Sequence, residues 1–110
     1  MAQLPKGELA VIPMEKLIGY CLNPTHTRGK EKARVFASVL GITQDNAHDL
    51  AHLIRQAAIA GEVTKEENTV FGRYYRVDWL ISTRRDVVLR TIWEVAAGEE
   101  IPRLVSAFIR

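Results

Sequence analysis

Basic side chains are concentrated between residues 22 and 34, in the sequence Leu-Asn-Pro-Thr-His-Thr-Arg-Gly-Lys-Glu-Lys-Ala-Arg. Five of these thirteen residues can carry positive charge, and Glu31 is the one carboxylate among them. A cluster of this kind attracts an anion, because lysine and arginine donate charged hydrogen bonds to phosphate and carboxylate oxygens. The alternative is a solvated basic loop that merely precedes a helix.

The local backbone signals of this stretch favour a turn followed by a helix. The ring of Pro24 disfavours the helical conformation of Asn23, and Gly29 gives the backbone extra freedom where the helix begins. Amides at a helix start are unpaired and carry the positive end of the helix dipole, which suits a bound anion. We therefore predict that Arg28, Gly29 and Lys30 form a phosphate-binding turn.

Two helices are predicted after this turn. Apolar residues at helical spacing indicate a helix over residues 30–40, with Lys30 and Lys32 flanking its apolar face. Gly41 is a suitable C-cap, and Thr43 a suitable N-cap for a second helix over residues 44–60 that stops at Gly61. A shorter helix starting near Pro13 and a short strand over residues 8–12 are predicted before the turn.

The second half of the chain changes to the two-residue period of strands. Residues 73–81, 87–95 and 103–109 alternate, residues 82–86 form a charged turn, and residues 62–72 are a loop or a ragged edge strand. The sequence predicts an α+β fold: about three N-terminal helices packed on a C-terminal antiparallel meander of three to four strands. Residues 1–110 are expected to form one domain.

Composition narrows the class of protein. Hydrophobic residues make up 47% of the chain and charged residues 25%, the balance of a soluble globular protein. The formal net charge is only +2, so any nucleic-acid role must depend on local clustering. One cysteine, Cys21, cannot form an internal disulfide, and no apolar run is long enough to span a membrane. We expect a cytoplasmic protein.

Other chemistries have weak support. His48 and His52 stand four residues apart on the predicted second helix, a spacing that can place two imidazoles on one metal ion. They lie away from the apolar stripe and no third ligand is evident, so a solvated face is favoured. Glycine-rich phosphate loops and the Gly-x-Ser-x-Gly nucleophile turn are both absent. We expect neither a metal nor a cofactor.

Three residues of the predicted strands bear on the site and the core. The alternation of the last strand points Arg103 toward the helices, where an arginine needs either a helix carboxylate or a bound phosphate as its partner. Trp79 and Trp93 lie on the apolar side of neighbouring strands, and both are predicted to pack in the core.

Several motifs along the chain resemble a family of small uncharacterised bacterial domains. The first motif is Leu-Asn-Pro-x-His-x-x-Gly-x-x-Lys-Ala-x-x-Phe at residues 22–36. The others are Gly-x-x-Tyr-x-Val-Asp at residues 72–78, Thr-x-Trp at residues 91–93, and Pro-Arg-Leu-Val-Ser at residues 102–106. Members of that family stand alone beside a small partner gene or form the last module of toxin-like proteins. Its layout resembles the barnase, colicin and RelE group of metal-independent ribonucleases.

The resemblance implies a toxin-type endoribonuclease, of the kind found in toxin–antitoxin pairs, that cleaves tRNA or another structured RNA by acid/base transesterification. His26 would be the general acid or base, Lys32 and Arg103 would stabilise the phosphate, and Thr91 and Ser106 would orient it. The implied partners are RNA and a cognate inhibitor or immunity-type protein. This sequence has Phe108 where the family pattern has tyrosine, and Ser106 where it has threonine.

The resemblance identifies no second acid/base group to work with His26. The alternative function is a non-catalytic protein-interaction module whose basic turn docks on an acidic surface.

Overall fold

Helices come first in the chain and a four-stranded antiparallel sheet follows, as predicted. The computed structural model describes residues 2–81 and 86–110. Its helices are α1 (Met14–Lys16), which continues directly as a π-helical segment (Leu17–Cys21), α2 (Lys30–Leu40) and α3 (Ala47–Ala60). Its strands are β1 (Glu62–Thr69), β2 (Gly72–Leu80), β3 (Val88–Ala96) and β4 (Arg103–Ile109).

The ends of α2 and α3 are set by the residues that the sequence singled out. Gly41 has a φ of 67° and caps α2, a left-handed conformation that glycine adopts without steric cost. Thr43 then caps a 3₁₀ turn (Gln44–Asn46), and its own amide donates to the Asn46 side chain at 2.6 Å. This reciprocal capping box pairs amides that would otherwise lack partners at the start of α3. Gly61 ends α3.

The sheet has the order β1-β2-β3-β4 and carries the core on one face. Residues paired directly across antiparallel strands share a face, so the pairs Tyr75–Trp93 and Val77–Thr91 define the buried face under the helices. The opposite face is partly exposed, and it is called the open face below. β1 is the outer strand at one edge and is almost wholly exposed, which is why its polar sequence did not distinguish a strand from a loop.

Some local predictions were wrong. Residues 8–12 do not form a strand: a 3₁₀ turn (Gly7–Leu9) precedes a single parallel bridge between Val11 and β4. There the Val11 amide donates to the Pro102 carbonyl at 2.9 Å, and the Leu104 amide donates to the Val11 carbonyl at 3.0 Å. Trp93 is fully buried as predicted, and Trp79 packs against the core as predicted but stays partly exposed.

The charged turn predicted over residues 82–86 lies mostly outside the described residues. Among the helices of residues 2–81 and 86–110, none is long and apolar enough to cross a bilayer.

Candidate active site

The π-helical segment that follows α1 places a tyrosine beside the basic turn. Leu17 and Cys21 of this segment face the core and are fully buried, while Tyr20 packs against the core and stays partly exposed. Burial raises the pKa of the Cys21 thiol, which disfavours a reactive thiolate there. The reactive group that this segment offers at the surface is therefore the Tyr20 phenol.

The turn after this segment is held by side-chain hydrogen bonds. The Asn23 carboxamide oxygen accepts the amide of Thr25 at 3.0 Å and its hydroxyl at 2.8 Å, a local bond that stabilises the turn. The Asn23 amide group donates back to the Gly19 carbonyl at 3.2 Å. The turn is thus tied to the π-helical segment, and it presents His26 next to Tyr20.

His26 uses the amides that the sequence analysis had assigned to a phosphate. Its Nδ1 accepts hydrogen bonds from the Arg28 and Gly29 amides, both at 3.0 Å. The proton of the neutral imidazole is consequently on Nε2, because a ring nitrogen that accepts two hydrogen bonds carries no proton. Neutral His26 can therefore donate a hydrogen bond from Nε2 but cannot accept a proton at that atom.

Lys32 lies on the first turn of α2 and points toward β4. Its ammonium donates to the Tyr20 hydroxyl at 2.5 Å and to the Ser106 hydroxyl at 3.2 Å. It also lies 4.6 Å from the centre of the Tyr20 ring and 5.2 Å from that of Phe108. None of the salt bridges between described residues includes Lys32. A partly buried ammonium held by two hydroxyls and two rings keeps its positive charge available to an anion.

Tyr20 joins the parts of the site. Its ring meets the His26 ring edge-on, with centroids 4.9 Å apart and planes at 76°. The hydrogen bond from Lys32 holds the pKa of the Tyr20 phenol below its ordinary value of 10.0, and the Ser106 hydroxyl adds to this effect against the opposing influence of burial. The side chains of His26, Lys32 and Ser106, separated by up to 80 positions in the sequence, thus meet around one phenol.

Arg103 does not point toward the helices as the alternation predicted. It is exposed and lies opposite Glu94 in the strand register, on the open face of the sheet. The reason is a β-bulge: the pairing shifts at Ile92 and Trp93, Val105 is left without a partner in the register, and the alternation of β4 is reversed before it. Arg103 instead lines a cavity of about 460 Å³ with Tyr20, Lys16 and Glu94.

The remaining predicted residues are placed differently. Thr91 is fully buried, where its hydroxyl donates to the Val77 carbonyl at 2.9 Å and accepts from the Trp93 indole at 2.7 Å. Both of these bonds lie in the core, so Thr91 does not join the cluster around Tyr20. Arg28 and Lys30 are both exposed, and Lys30 lines a different cavity with Pro24 and Gln44.

The histidine pair on α3 is separate from this site. His48 and His52 are both exposed. Within residues 2–81 and 86–110, no three His, Cys, Asp or Glu side chains come together in a way that could hold a metal ion.

Sequence reasoning did not single out Tyr20. Its partners Lys32 and Ser106 lie 12 and 86 residues away in the sequence, so no local pattern connects them with it. One signal was available: the resemblance described above implies a tyrosine at the position of Phe108, whose ring centre lies 5.2 Å from the Lys32 ammonium.

Comparison with known proteins gives a family and a fold. The family model described as a domain of unknown function, DUF6883, matches residues 3–110. The chain belongs to the DUF6883 family. No curated protein is significantly similar to it in sequence.

Among solved structures, this DUF6883 domain is similar to a chain from a complex described as a contact-dependent growth inhibition toxin with its immunity protein, from Klebsiella pneumoniae 342. The TM-score is 0.65 at 18% identity, and the match covers 92% of this chain and 100% of the other. At this identity the likeness establishes a shared fold.

Proposed function

We propose that this DUF6883 domain is a toxin-type endoribonuclease that cleaves tRNA or another structured RNA without a metal ion and is inhibited by a cognate partner protein. The observation that carries the proposal is the Lys32 ammonium, which is held by two hydroxyls and, among the described residues, by no carboxylate. It contacts the Tyr20 ring, which the His26 ring also meets. The fold likeness to a chain of a toxin–immunity complex is consistent with a toxin and an inhibitor partner.

The chemistry of the site suits cleavage of RNA through its own 2′-hydroxyl. Attack of this oxygen on the adjacent phosphorus gathers negative charge on the nonbridging oxygens, and fixed donors aimed at that charge lower the barrier. Lys32 supplies an ammonium, and the Nε2–H of His26 supplies a neutral donor. Arg103 adds a second cation across the cavity that Tyr20 lines.

The test is cleavage of total tRNA and of a single-stranded RNA by the purified protein, with and without a chelator. We expect chelator-resistant cleavage that leaves a 2′,3′-cyclic phosphate, and no cleavage at a site whose 2′-hydroxyl is replaced by hydrogen. His26→Ala and Lys32→Met should each lower the rate about 100- to 1000-fold, the typical effect of removing one donor to transition-state charge.

Matched variants control for general damage to the protein. His52→Ala removes an exposed histidine of α3, and Lys65→Met removes an exposed lysine of β1, both outside the site. Both controls should cleave at the rate of the unsubstituted protein. Undiminished cleavage by His26→Ala and Lys32→Met would contradict the assignment of the site, and a folded protein that cleaves no RNA would contradict the ribonuclease function itself.

The second candidate is a non-catalytic interaction module, and it is favoured by an apolar hairpin tip. Val70 and Phe71, between β1 and β2, are 87% and 75% exposed, and side chains of this kind usually become buried on binding. This function predicts a folded protein that cleaves no RNA and whose partner binding is lost in Phe71→Ser but retained in His26→Ala.

A further inference from the structure

Tyr20 has the contacts expected of a group that exchanges a proton with a substrate. Its hydroxyl oxygen accepts from Lys32, and its side chain lines the cavity that also contains Lys16 and Arg103. It is partly exposed, so a substrate in this cavity can reach it. None of the motifs in the sequence included it.

The surroundings of the phenol stabilise its ionised form relative to that of an ordinary tyrosine. Lys32 lies within hydrogen-bond distance, and the Lys16 ammonium lies 6.0 Å from the ring centre. The carboxylates that line the cavity belong to Glu15 and Glu94. The Glu94 carboxylate accepts a hydrogen bond from the Tyr74 hydroxyl, and this bond raises the pKa of Tyr74. The groups hydrogen-bonded to the Tyr20 oxygen are the Lys32 ammonium and the Ser106 hydroxyl, and both stabilise a phenolate.

His26 cannot take this role while its present hydrogen bonds hold. Its Nδ1 is occupied by two amides, and its Nε2 carries the proton. Cleavage through the 2′-hydroxyl nevertheless needs a group that removes the hydroxyl proton. Among the side chains that meet around Lys32, the Tyr20 phenolate is the one that can accept a proton from an alcohol.

We propose that Tyr20 is a catalytic residue, the general base that takes the proton from the attacking 2′-hydroxyl of an RNA substrate. This inference rests on the proposed ribonuclease function and adds to it the proton acceptor that sequence analysis did not find.

The reaction consumes the Tyr20 phenolate and then restores it. The Tyr20 phenolate takes the 2′-hydroxyl proton and becomes a phenol, the 2′-oxygen forms a bond to phosphorus, and the bond from phosphorus to the 5′-oxygen breaks. The 5′-oxygen leaves with the bonding electrons and takes a proton from solvent water. The hydroxide so formed removes the phenol proton, which restores both the water molecule and the phenolate. Lys32 and the Nε2–H of His26 bind the phosphate oxygens throughout.

The first experiment is the pH dependence of kcat/KM for RNA cleavage by the unsubstituted protein and by Tyr20→Phe, which keeps the ring and removes the hydroxyl. For a phenolate base, kcat/KM rises with pH up to the pKa of Tyr20, which lies below 10.0. Tyr20→Phe should be slower by about 100- to 10,000-fold, the usual contribution of a general base, and should lack this rising limb. Tyr74→Phe removes the hydroxyl of a partly exposed tyrosine of β2, and it should keep both the rate and the rise of kcat/KM with pH.

A measurement independent of RNA uses the ultraviolet absorbance of ionised tyrosine. Subtracting the titration of Tyr20→Phe from that of the unsubstituted protein isolates Tyr20, whose midpoint should lie below 10.0, whereas the same subtraction with Tyr74→Phe should give a midpoint above 10.0. In Lys32→Met the Tyr20 midpoint should move to higher pH, because the ammonium that stabilises the phenolate is gone.

The outcomes separate the two proposals. If the unsubstituted protein cleaves RNA and Tyr20→Phe cleaves it equally fast with the same pH profile, Tyr20 is not the base and the ribonuclease function stands. A rate that falls as Tyr20 ionises also overturns the base role. If the folded unsubstituted protein cleaves no RNA at all, the ribonuclease function and the role of Tyr20 both fail.

Discussion

At the scale of single residues, the structure separates two hydroxyls that the sequence had placed in one group. Ser106 contacts the Lys32 ammonium, whereas Thr91 connects β2 and β3 inside the core through the Val77 carbonyl and the Trp93 indole. Both hydroxyls are buried, but only Ser106 belongs to the site. Substitutions of the two residues should therefore have different consequences.

Thr91→Val is expected to lower stability without changing the chemistry. The substitution leaves the buried indole N–H of Trp93 without an acceptor, and one such loss costs about 1–3 kcal/mol. Urea denaturation should show this decrease in the free energy of unfolding, while RNA cleavage per folded molecule stays unchanged. Thr91→Ser keeps the hydroxyl and should lose less stability. A large loss of RNA cleavage in a folded Thr91→Val protein would show that Thr91 acts in the site.

At the scale of elements, close packing fixes the distance between the π-helical segment and the start of α2. A Cβ atom on Gly29 would overlap the carbonyl oxygen of Tyr20 and contact the Tyr20 ring, so only glycine allows this approach. Gly29 also donates to the Nδ1 of His26. The spacing of these two elements therefore sets where the phenol and the imidazole lie.

Gly29→Ala is expected to force the two elements apart. Overpacking of this kind typically costs about 1–3 kcal/mol, and cleavage should fall as well because Tyr20 and His26 are displaced. Gly19→Ala is the matched control for stability: a Cβ there has no neighbour within 4 Å, so its free energy of unfolding should stay close to that of the unsubstituted protein. Chemical denaturation and the cleavage assay check both variants. Equal stability of the two variants would show that the contact at Gly29 is not limiting.

The sequence predicted those elements whose signals are local. The helical period and the caps Gly41 and Thr43 located α2 and α3, and strand alternation located β2 to β4. The face of the sheet on which Arg103 lies could not be predicted, because one bulged residue, Val105, reverses the alternation of β4. The bulge has no recognisable signal in the sequence. Tyr20 was missed for a related reason: a π-helical turn and contacts with distant residues decide its surroundings.

At the scale of the whole molecule, the charge is small and the site is locally basic. The net charge is +2, and no salt bridge between described residues involves Lys16, Lys32 or Arg103. Long-range attraction of RNA should therefore be weak. Binding is expected to depend on the few cations that contact phosphates directly.

The salt dependence of RNA binding measures how many cations of the protein contact phosphates. If the three cations each neutralise one phosphate, a plot of log K against log salt concentration for single-stranded RNA should have a slope of about −2, since each phosphate contributes about −0.7. Lys16→Gln or Arg103→Gln should each make the slope shallower by about 0.7, again from one phosphate per cation. Lys65→Met, on the far edge of the sheet, should leave it unchanged. A slope that neither substitution alters would place the RNA elsewhere.

The hydrogen bond between Lys32 and Ser106 can form only late in the synthesis of the chain. A ribosome releases the helical part first, and the last contacts of the site come from β4, 74 positions beyond Lys32. A nascent chain that has emerged only as far as residue 100 holds Tyr20, His26 and Lys32 but lacks Ser106, Phe108 and Arg103. Its Lys32 ammonium has lost one hydroxyl and one aromatic ring as partners. For the proposed ribonuclease, we therefore expect that a growing chain cleaves no RNA until β4 has joined the sheet.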